Sequence, residues 1–176
     1  MKSILIDAGH GGKDPGAVYK KRVEKVFNLD NALTLGGMLS KIDPNVSVKY
    51  IRTDDTFVPL STRVSIANKS DAIFVSLHCN SCYTAGSASG FEVCFSDKRK
   101  LGFPIAQKLV EQVAPIFPLH GTGILPRPDL YVLKLISKPA VLLEMFFLNN
   151  EKDVELFQQV KGELFRVIAE TIYSFC

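Results

Sequence analysis

No stretch of these 176 residues comes near the ~20 consecutive apolar positions that a bilayer-spanning helix needs. The longest apolar runs, AVLLE at 140–144 and AIFVSLH at 72–78, are soon broken by polar side chains. The amino terminus, MKSILIDAGHGG, passes from a short apolar run into a glycine-rich turn, too short for a secretory h-region and without a cleavage site. The expectation is a chain without signal peptide and without membrane insertion. Cysteine is scarce too, at four residues, which excludes a disulfide scaffold and leaves free thiols unless some bind metal. Charge of one sign is lacking: 21 Lys and Arg against 18 Asp and Glu leave +3, dispersed along the chain. That excludes the basic face of a nucleic-acid binder and is compatible with an anionic substrate. Glycine (12) and proline (9) are at ordinary levels, which excludes collagen-like repeats, low-complexity tails and disorder.

What is present is core-forming material. With 47% hydrophobic and 22% charged residues, the chain is expected to fold alone as one domain over 1–176, a monomer. Segments 3–7, 46–52, 72–78, 90–96, 130–134 and 140–146 combine β-branched and aromatic residues between turn signals and predict six strands. Helical periodicity is clearest at 154–175, where Phe157, Val160, Leu164, Val167, Ile168, Ile172 and Phe175 recur at three- and four-residue spacing. Residues 23–41 place Val26, Leu29, Ala32, Leu33, Gly36 and Leu39 on one stripe, and 101–113 place Leu101, Ile105, Leu109 and Val113 on another. A short helix is expected near 61–69, and 82–90 and 118–129 read as exposed loops. Strands alternating with helices imply the α/β class: a six-stranded, mainly parallel twisted sheet sandwiched by helices.

In such sheets reactive groups gather beyond the carboxyl ends of the strands. His10 follows the first strand, His78 ends the third and Glu144 ends the last. Glu24 begins the first long helix, off its apolar stripe, free to turn toward the same rim. Two imidazoles and a carboxylate match the ligand set of catalytic zinc, with the second carboxylate left to act as a base. Each residue also has a plainer use: Glu24 favours the helix dipole, His10 suits a turn, and His78 suits a hydrogen-bonded core. Glu144 is harder to dismiss, because a carboxylate ending the most apolar strand needs a partner.

The block DAGHGGKDPG fits neither the G-x-G-x-x-G nor the G-x-x-x-x-G-K-[ST] spacing, which argues against a nucleotide site. Cys79 and Cys82 form C-x-x-C beside His78, an alternative zinc site, but no second pair closes it.

Taken together, IDAGHGGKDPGA at 6–17, EKVFNL at 24–29, IRTDDTFVPLSTRVSIAN at 51–68, DAIFVSLHCNS at 71–81, GFEV at 90–93, LYVL at 130–133 and PAVLLEMFFLNN at 139–150 resemble the zinc-dependent N-acetylmuramoyl-L-alanine amidases of the Amidase_3 type. Those enzymes cut the stem peptide from the glycan of bacterial peptidoglycan. The resemblance implies a peptidoglycan (murein) substrate and one Zn2+ per chain, with His10, Glu24 and His78 as ligands and Glu144 as the catalytic carboxylate. Asp7 or Asn80 is a candidate to orient a ligand imidazole. Three positions depart from the pattern: Ala8 stands where Pro is common, Ile51 where Thr is usual, and Phe146 where a Gly typically follows the catalytic Glu by two. The bulk of Phe146 is expected to narrow the substrate groove or alter the packing of the strand end. The span between Phe91 and Leu130 leaves space for one helix and a loop, and not for the autoinhibitory insertion of some cell-division members. The resemblance also implies a phage-lysin-like enzyme, cytoplasmic until released to the wall, or an excised domain of an exported one. Two competing readings are a zinc peptidase cutting within the murein peptide and a non-catalytic murein-binding regulator on the same fold.

Overall fold

The computed structural model describes residues 2–97 and 101–176. Its central sheet has six strands in the order β4 (Ser47–Tyr50), β1 (Ser3–Ala8), β5 (Ile73–Asn80), β8 (Ala140–Phe147), β6 (Phe91–Phe95) and β7 (Leu119–Pro126). The first four are mutually parallel, and β6 pairs antiparallel with β8 and parallel with β7. β2 (Val18–Tyr19) and β3 (Arg22–Val23) form a separate small hairpin. The inner strands β1, β5 and β8 are nearly continuous in apolar residues because helices cover both faces of the sheet.

Alternation along the strands assigns the two faces. Ile4, Ile6, Val75, Leu77, Val93 and Leu143 point into the main core beneath α1 (Glu24–Ile42), α3 (Gly102–Val113) and α5 (Glu151–Ser174). Leu5, Phe74, Cys94, Ala140 and Leu142 point the other way, into a smaller cluster under α2 (Leu60–Asn68) and α4 (Tyr131–Leu135). Two short helices cover only part of this second face. The strand-end residues above the cluster therefore open into a groove.

Two expectations need correcting. Residues 130–134 are not a strand: Val132, Leu133 and Ile136 bury on one side of α4 against the sheet, a spacing that a five-residue apolar segment does not distinguish from alternation. The sixth strand is β7, inside the stretch read as a loop, so the connection after β6 holds a helix and an edge strand. Gly121 (φ 55°) and Gly123 (φ 73°) break its alternation and shift its register with β6 between Phe91 and Val93, which hid it in the sequence. The helices otherwise fall where periodicity placed them, with altered faces. Val26 (60% exposed) and Leu33 (43%) lie outside on α1, while Glu24, Asn28 and Asn31 join Ala32, Leu35 and Leu39 inside. Leu101 and Phe175 are exposed at helix ends.

Candidate metal centre

One row crosses four strands on the open face: Gly9 beyond β1, His78 on β5, Glu144 opposite it on β8, and Glu92 opposite Glu144 on β6. His78 lies over the backbone of residue 9, where a Cβ would sit 2.2 Å from its Cε1, so only glycine fits. His10 comes next in an uncommon left-handed conformation (φ 61°) for a residue with a side chain. Its surroundings hold it there: Arg63 Nη2 donates to its carbonyl at 2.7 Å and Asp14 Oδ2 lies 2.9 Å from its Nδ1. Gly16 (φ 65°) closes the loop, and a Cβ there would meet Glu24 Oε2 at 2.5 Å and His10 Cδ2 at 2.6 Å. The glycines of the DAGHGGKDPG block thus let the chain approach the two imidazoles and Glu24.

Glu24 reaches this rim from the start of α1 on the opposite face. Burial of its side chain corrects the expectation that it is free of packing; it lies on the inward stripe of the helix. Its Oε1 accepts from Cys79 N–H (3.2 Å) and Asn28 Nδ2 (3.1 Å) and lies 2.9 Å from His78 Nδ1. Its Oε2 accepts from Ala17 N–H (2.8 Å) and lies 3.1 Å from His10 Nε2. His10, Glu24 and His78 each offer a ligand atom, all within 4.8 Å of one another, and these three residues can hold a metal ion. No cysteine belongs to this cluster. Cys79 is buried on the core side of β5, and Cys82 lies in the loop beyond it, its Sγ donating to Thr84 O at 3.0 Å.

The charges are strongly coupled. Burial alone would push the Glu24 carboxyl up, but hydrogen bonds and charges from His10 and His78 hold it well below the usual carboxylate range. Burial would lower His10, yet Glu24 and Asp14 raise it to about 9. His78 is raised as well: burial opposes the shift, and its hydrogen bond to Glu24 with the charges of Glu144 and Glu24 overcomes it. Glu144 is pushed up to about 7, first by burial and then by the charges of Glu24 and Glu92, against the pull of His78. Glu144 Oε2 is buried without a hydrogen-bond partner among the described residues.

The structure brings all four predicted residues to one rim. It does not place Asp7 or Asn80 beside the imidazoles: Asp7 pairs with Arg63 and accepts from Ser76 Oγ, and Asn80 Nδ2 donates to Glu92 at 3.4 Å. Asp14 takes the orienting position instead. Phe146 does not enter the groove. His78 opposes Glu144 but Asn80 opposes Phe147, so β8 carries an extra residue just past Glu144. This bulge turns Phe146 into the main core, against Phe27 and Phe157 at 5.5 and 4.5 Å between ring centroids. Arg52 was also overlooked. Buried, it donates to the carbonyls of Ala8 (2.9 Å), Gly9 (2.8 Å) and Lys25 (3.1 Å), tying the end of β1 to the first turn of α1.

Among the described residues no helix is long and apolar enough to cross a membrane. The family model described as N-acetylmuramoyl-L-alanine amidase (Amidase_3) matches residues 4–174. The sporulation-specific N-acetylmuramoyl-L-alanine amidase of Bacillus subtilis (strain 168) is 42% identical over 155 residues, covering 87% of this chain and 59% of that protein. The N-acetylmuramoyl-L-alanine amidase CwlM of Bacillus licheniformis is 35% identical over 159 residues, covering 88% of this chain and 60% of that one. This chain thus spans about 60% of the length of those two relatives. Among solved structures, the catalytic domain of CwlV, an N-acetylmuramoyl-L-alanine amidase from Bacillus (Paenibacillus) polymyxa var. colistinus, matches with a TM-score of 0.87 at 35% identity, covering 99% of this chain and 98% of that one. With its six-stranded sheet and the match across nearly its whole length, the chain belongs to the N-acetylmuramoyl-L-alanine amidase family of enzymes.

Proposed function

We propose that this chain is a zinc-dependent peptidoglycan hydrolase that cleaves the amide between N-acetylmuramic acid and the L-alanine of the stem peptide, with residues 1–176 as one catalytic domain. The observation that carries the reading is the convergence of His10, Glu24 and His78 on the rim that holds Glu144, whose Oε2 has no hydrogen-bond partner among the described residues. Two imidazoles and one carboxylate suit zinc, which when bound supplies a Lewis acid that polarises the scissile carbonyl and acidifies water.

The protein's own groups do the rest. Glu144 accepts the proton of the attacking water and returns it to the departing L-alanine amine. Without a metal, burial and the charges of Glu24 and Glu92 push its carboxyl up to about 7, and a bound cation would lower it toward the ionised form that accepts the proton first. Asp14 holds Nδ1 of His10, so that Nε2 faces Glu24 in a fixed orientation. Arg63 and Arg52 pin the carbonyls of residues 8–10 and keep the loop from relaxing. All four positions carry competent side chains, which favours an enzyme over a binding-only relative.

Metal removal is the direct test. Chelator-treated protein is expected to release no amines from purified peptidoglycan, and stoichiometric zinc to restore release. Full activity after exhaustive chelation would overturn the metal-dependent reading.

A further inference from the structure

The bond to be broken leaves open which way the substrate lies across the row of site residues. The geometry points to one direction: we infer that the acyl half, a neutral N-acetylated sugar ring with its lactyl ether, occupies the cavity between His10 and the Phe57–Leu60 segment, and that the peptide half departs over Glu144 and Glu92. This inference rests on the amidase reading.

The order of residues across the sheet sets the direction. His78 sits one strand from Glu144, with Gly9 on its other side and Glu92 beyond Glu144. Glu144 must reach the leaving nitrogen. In a planar amide the acyl substituent projects from the carbonyl carbon away from that nitrogen. The peptide therefore extends toward β6, and the acyl group toward β1 and His10.

A cavity of about 300 Å³ lies at that end, reaching from His78 and His10 to the start of α2. This volume is at the small end of ligand pockets, which span roughly 300–1,000 Å³, and suits one ring better than a chain. Phe57, Val58, Leu60 and Val132 give it apolar walls, and Asp7 and Arg63 a polar floor. The floor is neutral overall, because Asp7 and Arg63 pair with each other and the guanidinium also donates to the carbonyls of Val58, Ala8 and His10. Such a cavity accepts the lactyl and acetyl methyls and the C–H face of a sugar, the last against the half-exposed Phe57 ring that Lys13 Nζ approaches to 4.7 Å. Asp14 and His10, which also line it, pair with each other at 2.9 Å. At the other end Glu92 borders Glu144, and Arg127, paired with Asp129 at 2.8 Å, follows β7 with its backbone N–H donating to Phe95 O at 2.7 Å.

The test compares two substrates for the zinc-loaded enzyme, an N-acetylmuramoyl-peptide and the same peptide acylated by a 2-methoxypropionyl group that keeps the ether and methyl but lacks the ring. The unaltered enzyme should favour the ring-bearing substrate in kcat/KM by tenfold or more. Phe57→Ala and the cavity-filling Leu60→Trp, both at partly exposed positions that leave the core intact, should each reduce that ratio by about tenfold, the scale of one lost apolar contact. A ratio in both variants equal to that of the unaltered enzyme overturns the inference, as does no ring preference in an active enzyme. So does loss of the preference in Glu92→Gln instead, which would mean the reverse direction. If the unaltered enzyme cleaves neither substrate, the amidase reading itself falls.

Discussion

Both oxygens of Glu24 face imidazoles, at 2.9 and 3.1 Å, so any metal entering the cluster must displace protons held between these groups. His10 keeps its extra proton up to about pH 9 and His78 is raised as well. Zinc titrations at pH 7 should therefore release protons, with affinity rising as pH climbs toward 9. Calorimetry in buffers of different ionisation enthalpy measures this, and zero proton release would show that the imidazoles do not bind the ion. Substitutions at Glu144 and at the two histidines separate holding from catalysis. Glu144→Gln should retain about one zinc per chain and lose hydrolysis by at least about 10²-fold, whereas His10→Ala or His78→Ala should lose the metal. Asp14→Asn should weaken zinc binding by about 10–100-fold through His10, readable by competition with a chelating dye. Asp14 escaped the sequence because nothing in a turn carboxylate four residues after a histidine marks it as the partner of that ring; the left-handed backbone of His10 creates the contact.

At the scale of elements, α1 and β8 explain what the sequence disclosed and what it hid. Strand ends exposed His10, His78 and Glu144, because a histidine or carboxylate closing an apolar run is conspicuous. Glu24 was legible as a helix start, but its burial was not: the fully buried positions of α1 are polar through Asn31 and turn apolar at Ala32, so Val26 and Leu33 attract a stripe that packing does not use. Phe146 misled for a related reason. Strict alternation puts it on the same face as Glu144, and only the extra residue in β8 turns it inward. Phe146→Ala should accordingly destabilise the fold by about 3–5 kcal/mol without changing zinc stoichiometry or the relative rates on different substrates. Denaturant unfolding with a metal assay checks both, and altered substrate preference at unchanged stability would return the side chain to the groove.

For the molecule as a whole, the site stabilises the metal-free fold differently at different pH. His10 is raised from 6.5 to about 9, so its contribution is complete below 6.5 and disappears as pH rises to 9. Glu144, raised from 4.5 to about 7, acts with the same sign: its contribution is complete below 4.5 and is lost as pH rises through 7. Metal-free protein should melt about 5 °C lower at pH 9 than at pH 6. The zinc-loaded form should not show this decline, since the cation replaces the protons, and parallel melting curves test the difference. The fold itself uses the antiparallel β6 and β7 to widen one face of a parallel sheet, so that Glu92 and Glu144 share a row with His78 above the two short helices. Mass spectrometry of peptidoglycan digested by the zinc-loaded protein tests the central claim most directly. The account predicts intact stem peptides with a free L-alanine amino terminus and glycan strands that retain the lactyl carboxylate. Cleavage within the peptide, with L-alanine still joined to the sugar, would contradict it.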